Sequence, residues 1–429
     1  MKLFKKIFSP LSLIISVLLL IYTFYKSQIY WGGSKIDYYL IYFFVSSLLI
    51  IFSITTFFIR EEIKEYFIII SFSIVFALYS FEAYLTFKDQ IYKARIYKKE
   101  TGKKYDLRNR LEIYNDQKKL EKNTSVTVFP SSYLNSYNSF FPLSSKSNSE
   151  TIHCNENGYY SIYQSDRFGF NNPDKEWSSD EVEYFIIGDS FTHGACVNRP
   201  DDIASVLRSL SNKSVLNLGY GDTGPLIQYA TLREYLNSNV KKVLWIYYEG
   251  NDLQNLRKEI NNPILKNYIK DLNFTQKLKL KQSKIDELAD NEIERAKKNK
   301  SFYFKFINFI KIYKIRTNFM SKRQPVLPPQ PEFKKILTLV KQLTIEKNAN
   351  LYFIYLPVFT RYDTAYDNTN YDLIKKIIIG LDIPFIDIHK EVFKIENNPK
   401  KLFSFEMYYH YTVDGYNKVA NTIFRLTKD

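Results

Sequence analysis

Cysteine and histidine are scarce in this chain of 429 residues, which contains two cysteines and four histidines. Cys154 and Cys196 do not form a Cys-x-x-Cys pair, so a cysteine-ligated metal site is not expected, and no metal or cofactor is predicted. Both lie after the apolar part of the chain, where they could form a disulfide in an oxidising compartment. Two unrelated thiols are an equal alternative.

Recognised nucleic-acid-binding motifs are also absent, although the formal net charge is +15. Many of the lysines are scattered through residues 99–122 and 265–322 without the pattern of a known nucleic-acid-binding module. A nucleic-acid partner is therefore not predicted. Most of these side chains are expected to be solvated, and membrane lipid with anionic head groups is the expected partner of a basic membrane protein.

Long apolar runs are present, but only before residue 90. They cover Pro10–Tyr25, Tyr38–Ile59 and Tyr66–Phe87, and the third contains a single charged residue, Glu82. A helix needs about 20 apolar residues to cross a bilayer, so we predict three transmembrane helices in a multi-pass membrane protein. The first run follows two lysines, as a signal sequence would, but no small-residue cleavage site comes after it.

The basic residues around these runs do not determine the orientation of the helices. Those before the first run and between the second and third favour a cytoplasmic amino terminus. Those that follow the third run, from Lys88 to Lys99, favour a cytoplasmic large domain. With three helices, these two preferences conflict.

Composition divides the chain into three predicted regions. Residues 1–87 form the transmembrane region, residues 88–150 form a charged stalk and a Ser/Asn-rich linker, and residues 151–429 form a globular domain. At the start of that domain, the sequence Asn155-Glu156-Asn157-Gly158 separates two runs that favour β-structure. This pattern predicts a β-hairpin.

Short apolar strands alternate with amphipathic helical segments from residue 183 onward. The candidate strands are Tyr184–Ile187, Ser214–Leu218, Lys242–Tyr248, Asn350–Leu356 and Pro384–Ile388. The alternation predicts a three-layer α/β fold, in which helices cover both faces of a flavodoxin-like, doubly wound parallel sheet. Residues 253–331 interrupt it with a Lys-rich helical insertion, which is expected to be solvated; a lid or a membrane-surface element is the alternative.

Polar, glycine-rich turns follow three successive candidate strands. Gly188-Asp189-Ser190 follows the first, Gly219–Pro225 follows the second, and Gly250-Asn251-Asp252 follows the third. The carboxyl ends of parallel strands meet at one edge of a sheet, where ligands bind. Glycine before Ser190 permits a tight turn, and the glycine amides and the Asn251 side chain could receive a negative oxygen. The pattern therefore predicts Ser190 as a nucleophile.

A serine nucleophile needs a base, and the four histidines are the candidates. His410 precedes the final predicted helix, so it can reach the same sheet edge from a different element. His153 belongs to the predicted hairpin, His193 shares the turn of Ser190, and His389 ends the fifth candidate strand. We therefore prefer His410 as the base.

The order of these blocks, from about Glu183 to the carboxyl terminus, resembles the SGNH (GDSL) hydrolase superfamily. The turn at Ser190 matches the first block of that family, and the turn at Asn251 matches the third. The resemblance implies that Ser190 is the nucleophile and that its own amide, a second-block glycine and Asn251 stabilise an oxyanion.

Two details of these blocks are expectations that follow from the resemblance. Gly221 is the expected second-block glycine, although the neighbouring Gly219 and Gly224 leave the register open. Asp189 and Asp252 are expected to support the site structurally.

The fourth block departs from the family pattern Asp-x-x-His, because Met407 stands three residues before His410. A carboxylate normally orients the imidazole, and Glu406 is expected to take that role. A Ser–His dyad oriented by a backbone carbonyl is the alternative. Asp414 is expected to be a dipole partner in the first turn of the final helix. An inactive relative is a further alternative.

The resemblance implies acyl chemistry through a Ser–His acyl-enzyme mechanism. We therefore predict that the protein is a membrane-anchored esterase that acts on an acylated glycan or a small ester. One alternative is an O-acyltransferase of a surface polysaccharide, with a membrane acyl-donor protein as a further partner. The other is a non-catalytic glycan-binding or assembly protein. The cysteine pair and the glycan substrate favour an extracytoplasmic large domain.

Overall fold

The structure is a computed structural model, and it describes residues 2–30, 32–33, 36–136, 138–298, 301–320, 327–363 and 366–428. The chain divides into two compact units. The first unit contains the residues up to Lys88 together with a segment that begins at Phe306. The second unit contains the large parallel sheet.

Three long helices form most of the first unit: α1 (Lys2–Phe24), α2 (Ile36–Thr55) and α3 (Glu61–Thr101). All three are long and apolar enough to cross a membrane, as the sequence predicts. Helices α1 and α2 meet at small polar residues, because the hydroxyl groups of Ser16 and Ser53 lie 3.1 Å apart and the Ser9 hydroxyl donates to the Thr56 carbonyl at 3.1 Å. Small residues let apolar helices approach closely, and these hydrogen bonds satisfy their hydroxyl groups.

A small sheet begins the second unit. Helix α4 (Arg110–Leu120) leads to three strands, β1 (Thr124–Val126), β2 (Glu150–Ile152) and β3 (Ile162–Gln164). Strands β2 and β3 pair antiparallel, so the predicted hairpin is present, and β1 adds in parallel to β2. The turn of this hairpin carries Glu156.

Residues 89–150 belong to the second unit and do not form a separate stalk. Helix α4 buries Ile113 and Tyr114, and the Ser/Asn-rich stretch after it buries Phe141 and Leu143. These apolar side chains tie the segment to the main hydrophobic core. Composition suggested a linker because serine and asparagine outnumber the few apolar residues that fix its position.

The large sheet is parallel and has five strands in the order β5-β4-β6-β7-β8. Its strands are β4 (Val182–Gly188), β5 (Ser214–Asn217), β6 (Val240–Tyr248), β7 (Asn350–Leu356) and β8 (Phe385–Asp387). Each lies where a strand is predicted. In chain order the sheet reads 2-1-3-4-5, which is the flavodoxin-like doubly wound order, and its order reverses at β4.

Helices cover both faces of this sheet, which confirms the predicted α/β architecture. They are α5 (Ser190–His193), α6 (Ile203–Ser211), α7 (Pro225–Tyr235), α13 (Pro331–Glu346), α14 (Thr369–Gly380), α15 (Ile388–Glu391) and α16 (Val413–Thr427). Along β6, Trp245 and Tyr247 enter the core shared with α7 and α13, whereas Leu244 and Ile246 enter the core shared with α6 and α16. This alternation follows from the two-residue period of a strand.

The insertion after β6 is divided between the two units. Helices α8 (Asp252–Glu259), α9 (Pro263–Lys270) and α10 (Gln282–Lys298) bury apolar residues in the core of the second unit. Helices α11 (Ser301–Ile310) and α12 (Tyr313–Met320) follow, and the chain from Phe306 joins the first unit. Residues 299–300 and 321–326 of the insertion lie outside the described residues. The expectation that the insertion is only solvated is therefore wrong for α8, α9 and α10, which contribute apolar side chains to the core of the second unit.

Candidate active site

The turn between β4 and α5 presents Ser190. A Cβ atom on Gly188 would lie 2.5 Å from the Ile246 carbonyl oxygen and 2.1 Å from Oγ1 of Thr192, so only glycine fits where the strand enters the turn. Asp189 then caps the short helix, because its Oδ1 accepts a hydrogen bond from the Phe191 N–H at 2.9 Å. This local structure places Ser190 at the carboxyl edge of the central strands.

His410 lies against Ser190. The Nε2 atom of His410 is 2.8 Å from Oγ of Ser190. The histidine comes from the loop before α16, whose first turn is capped by Thr412 through the Gly415 N–H at 3.2 Å. The ring of Phe191 packs against the imidazole with 4.7 Å between ring centroids. The candidate nucleophile and the candidate base therefore reach the same edge of the sheet from different elements of the fold.

The carboxylate on His410 is that of Glu156. Its Oε2 lies 2.8 Å from Nδ1 of His410 and also accepts the His410 backbone N–H at 2.8 Å. With the Nδ1 proton donated to Glu156, Nε2 is left as an acceptor for the Ser190 hydroxyl. Serine, histidine and carboxylate thus form one hydrogen-bonded chain.

Glu406, the predicted acid, does not reach His410. Its Oε2 accepts a hydrogen bond from Asn398 at 3.3 Å, and the residue lies in a short turn with a positive φ of 52°. The Ser404 N–H donates to the His410 carbonyl at 3.0 Å, so the loop folds back on itself between the two residues that flank Glu406. Asp414 lies 3.3 Å from Lys418 in the first turn of α16, as expected for a helix-dipole partner.

The loop that carries Glu156 is held to the Ser190 turn by covalent and hydrogen bonds. Cys154 and Cys196 form a disulfide between the two segments. The Asn157 side chain donates to the Cys196 carbonyl at 2.9 Å and accepts from the Ser404 hydroxyl at 2.8 Å. Asn157 therefore links the hairpin turn both to the serine segment and to the loop of His410. Cys154 is close to Glu156 in sequence and Cys196 is close to Ser190. A disulfide between them is therefore the sequence feature from which the proximity of Glu156 and Ser190 could have been predicted.

The end of α3 supports the same loop from its other side. A Cβ on Gly158 would lie 2.3 Å from the ring of Tyr97, so glycine allows that ring to cover the hairpin turn. The Nζ atom of Lys93 donates to the Tyr409 hydroxyl at 3.0 Å, next to His410. Tyr105 is buried beside Tyr97, with 5.9 Å between their ring centroids. Residues predicted to be a stalk thus contact both loops of the candidate site.

Backbone hydrogen bonding distinguishes the three candidate second-block glycines. The Gly219 N–H donates to Oδ1 of Asn217 at 3.0 Å, and the Gly224 N–H donates to the buried carboxylate of Glu259. The Gly221 N–H makes no hydrogen bond to any residue that the structure describes. Tyr220, beside it, donates to the Gly188 carbonyl, so this turn adjoins the start of the Ser190 turn. Gly221 is therefore the glycine with an unused donor next to the serine.

Asn251 follows β6 at the start of α8. Its side chain makes no hydrogen bond to the described residues, and its Oδ1 is buried without a partner. A polar side chain that is left unpaired at the carboxyl edge of the sheet suits a role toward a bound group. The N–H of Gly221 and the amide of Asn251 remain candidate oxyanion donors, together with the N–H of Ser190.

Asp189 and Asp252 are both fully buried at the base of this edge. Asp252 accepts the Tyr248 N–H at 3.2 Å, which fixes the turn that presents Asn251. Burial raises the pKa of Asp189 to about 6. Burial, reinforced by the nearby charge of Asp189, also raises the pKa of Asp252 well above its ordinary value. Their shorter hydrogen bonds are to turn backbone, and their longer ones come from the Ser190 hydroxyl to Asp189 at 3.4 Å and from the Gln228 side chain to Asp252 at 3.5 Å.

The titration of His410 depends on Glu156. Burial opposes a positive charge on His410, but the Glu156 carboxylate outweighs burial and raises the pKa of the imidazole. Burial likewise opposes ionisation of Glu156, but the charge and hydrogen bonds of His410 lower the pKa of that carboxyl. The pair therefore stabilises the imidazolium that forms when the histidine takes a proton.

The other three histidines lie away from Ser190 Oγ and have different partners. His193 pairs with the Tyr163 hydroxyl at 3.1 Å, and His153 pairs with the hydroxyl of Thr127 at 2.9 Å. His389 pairs with the Tyr362 hydroxyl at 2.8 Å. Burial lowers the pKa of all three, to about 3 for His193. They are structural groups in aromatic surroundings.

Glu156, Cys196 and His410 place potential metal-ligand atoms within 4.8 Å of one another, the one such group among the described residues. The Cys196 sulfur is already bonded to Cys154, and Nδ1 of His410 is bonded to Glu156. The cluster is therefore explained by the disulfide and the histidine–carboxylate pair.

No protein-family model and no curated protein match the chain. Among solved structures, the chain is similar to a protein from Desulfitobacterium hafniense DCB-2 that is assigned to the lipolytic G-D-S-L family. The two are 14% identical, the similarity covers 57% of this chain and 99% of that one, and the TM-score is 0.33. A similarity with so low an identity and TM-score carries no argument about function.

The histidine–carboxylate pair gives a direct prediction for titration. Replacing Glu156 with glutamine should lower the pKa of His410, because the negative charge that raises it is removed. In the wild-type protein the highest-titrating histidine signal should be that of His410, since the other three pKa values are lowered. NMR of the full-length protein with labelled histidine, over a pH series, measures this.

The matched control is Glu406→Gln, which removes the same charge from the loop of His410 itself. It should leave that titration unchanged, because Glu406 does not contact the imidazole. A shift in Glu406→Gln with none in Glu156→Gln would contradict the assignment of the carboxylate.

Proposed function

We propose that this chain is a membrane-anchored serine hydrolase of the SGNH type that acts on ester bonds. The observation that carries the proposal is the continuous contact from Ser190 Oγ to His410 Nε2 and from His410 Nδ1 to Glu156, each 2.8 Å long. A serine beside an oriented histidine is the arrangement that activates a hydroxyl as a nucleophile. The Gly221 N–H and the Asn251 side chain, which have no hydrogen-bond partners among the described residues, support the proposal as candidate oxyanion donors.

The first half of the reaction forms an acyl-enzyme. His410 Nε2 takes the hydroxyl proton as Ser190 Oγ attacks the ester carbonyl carbon, and Glu156 stabilises the resulting imidazolium. The carbonyl oxygen becomes an oxyanion, which the N–H groups of Ser190 and Gly221 and the Asn251 amide receive. When the tetrahedral intermediate collapses, the alcohol leaves with the proton from His410 and the acyl group remains on Ser190.

The second half returns the enzyme to its starting state. An incoming hydroxyl loses its proton to His410 and attacks the acyl carbon, after which Ser190 leaves and recovers that proton. If the attacking molecule is water, the product is a carboxylic acid. If it is a carbohydrate hydroxyl, the product is a new ester.

An O-acyltransferase of a surface polysaccharide is the second candidate, because it uses the same acyl-enzyme. Three helices long enough to cross a membrane favour it, since they could place the site beside a membrane-bound acyl donor. A non-catalytic glycan-binding protein is less consistent with the hydrogen-bonded chain from Ser190 to Glu156. A binding role would need no such chain.

Loss of the nucleophile tests the enzymatic proposal. The full-length protein should hydrolyse p-nitrophenyl acetate and be labelled by a fluorophosphonate, and Ser190→Ala should reduce turnover by about 10⁴-fold or more and abolish labelling. Ser211→Ala on α6 is the matched control and should retain both, because the Ser211 hydroxyl bonds only local backbone: it donates to the Leu207 carbonyl and accepts the Lys213 N–H.

The partition of the acyl group separates the two candidates in the same assay. With an oligosaccharide present, a hydrolase releases the acyl group mainly to water, whereas a transferase moves most of it to the sugar. Turnover or labelling that persists in Ser190→Ala would count against both candidates.

We further propose that the second unit is extracytoplasmic. The disulfide between Cys154 and Cys196 supports this, because disulfides persist in oxidising compartments. In intact cells, a membrane-impermeant maleimide should label the wild-type protein only after reduction. A Cys196→Ser variant, which frees the partly exposed Cys154, should be labelled without reduction. Labelling of either protein only after cell lysis would place the unit in the cytoplasm.

A further inference from the structure

Glu82 is the one charged residue of the third apolar run, and it is 1% exposed within the first unit. Its two carboxylate oxygens accept the backbone N–H groups of Lys314 and Ile315, each at 2.8 Å. These donors belong to the first turn of α12, where helical N–H groups have no partner within their own helix. Glu82 therefore caps the amino end of a helix that is distant in sequence.

Other contacts attach the same segment to all three long helices. From α3, the Tyr79 hydroxyl donates to the Ile310 carbonyl at 2.9 Å. Lys311 donates to the Tyr22 hydroxyl of α1 at 3.3 Å, and Arg316 donates to the Tyr38 hydroxyl of α2 at 3.4 Å. The segment that follows α10 thus makes one set of polar contacts with each candidate span.

These contacts are at ends that would face the same side of a bilayer. Tyr22 is near the carboxyl end of α1, Tyr38 is near the amino end of α2, and Glu82 lies five residues before Phe87, where the apolar run of α3 ends. Consecutive spans alternate in direction, so these three ends are level with one another. Five residues of helix correspond to about 7.5 Å, which places the start of α12 close to the edge of the apolar layer.

The side chains of the segment suit that depth. Ile310 and Tyr313 are 48% and 44% exposed, whereas Lys311, Lys314 and Arg316 supply positive charge on the same short stretch. Apolar side chains next to lysine and arginine are typical of helices that lie in a membrane interface, where anionic head groups attract the charges. Tyrosines at the ends of spans, such as Tyr22 and Tyr38, are also characteristic of that layer.

We propose that residues 306–317 form a membrane-interface element, with lipid head groups and the adjoining acyl chains as the partner of exposed side chains such as Ile310 and Tyr313. Glu82 holds the element at that level by capping α12. The charged residue in the third span then has a structural purpose, and this part of the insertion is a membrane-surface element.

The test uses a fluorescent probe on the full-length protein in vesicles of phosphatidylcholine and phosphatidylglycerol. Both native cysteines are in the disulfide, so a single introduced cysteine can be labelled with an NBD dye. The probe is placed at Ile310→Cys, with Glu287→Cys on the exposed face of α10 as the aqueous control and Ile74→Cys on α3 as the deep control. Quenching by lipids that are spin-labelled at shallow or deep positions reports depth.

At Ile310 we expect strong quenching by the shallow lipid label, at a depth of about 5–10 Å, and several-fold weaker quenching by iodide than at Glu287. A second substitution, Glu82→Ala, should reduce the shallow quenching at Ile310 and leave that at Ile74 unchanged. Iodide quenching at Ile310 equal to that at Glu287 would overturn the proposal. So would stronger quenching by the deep label, or protection from both lipid and iodide, which would indicate a protein partner.

Discussion

The contact between Glu156 and His410 is the interaction on which the candidate site depends. Without a carboxylate on Nδ1, the imidazole has no fixed orientation and Nε2 is not reserved for the Ser190 hydroxyl. The acid comes from a hairpin turn before the sheet, and its partner lies 254 residues later. The disulfide of Cys154 and the side chain of Asn157 hold that turn against the segment that carries Ser190. The small sheet thus contributes Glu156 to the candidate site at the edge of the large sheet.

The strand order explains why the remaining groups meet. Because β4 lies between β5 and β6, the turns that follow these three strands open at one place on the carboxyl edge of the sheet. Ser190 follows β4, Gly221 follows β5 and Asn251 follows β6. The loop before α16 then brings His410 over that edge from the face shared with α6. The large sheet and its loops thus bring together the candidate nucleophile, the unused donors and the candidate base, whereas the accessory hairpin supplies the carboxylate that bonds His410.

Sequence reasoning predicted the local features of this arrangement and missed its long-range contacts. The five strands could be predicted because short apolar runs alternate with amphipathic helical segments. Ser190 could be singled out because it stands in a glycine-containing turn at the end of a strand, and His410 because it precedes the final predicted helix. Proximity to His410 in sequence predicts Glu406 as the acid, whereas the structure places Glu156 on the imidazole. The composition of residues 88–150 predicts a stalk and a linker, because the few apolar side chains that become buried, such as Phe141, are outnumbered by polar ones. No local pattern reveals that Glu82 caps a helix of the insertion.

The proposed reaction requires that Ser190, activated by His410, carries the acyl group. The most direct measurement is peptide mass spectrometry of the full-length protein after brief reaction with p-nitrophenyl acetate and quenching in acid. We expect an acetyl group on Ser190 in the wild-type protein and its loss in His410→Ala. An acetyl group found only on other side chains, or on Ser190 to the same extent in His410→Ala, would contradict it.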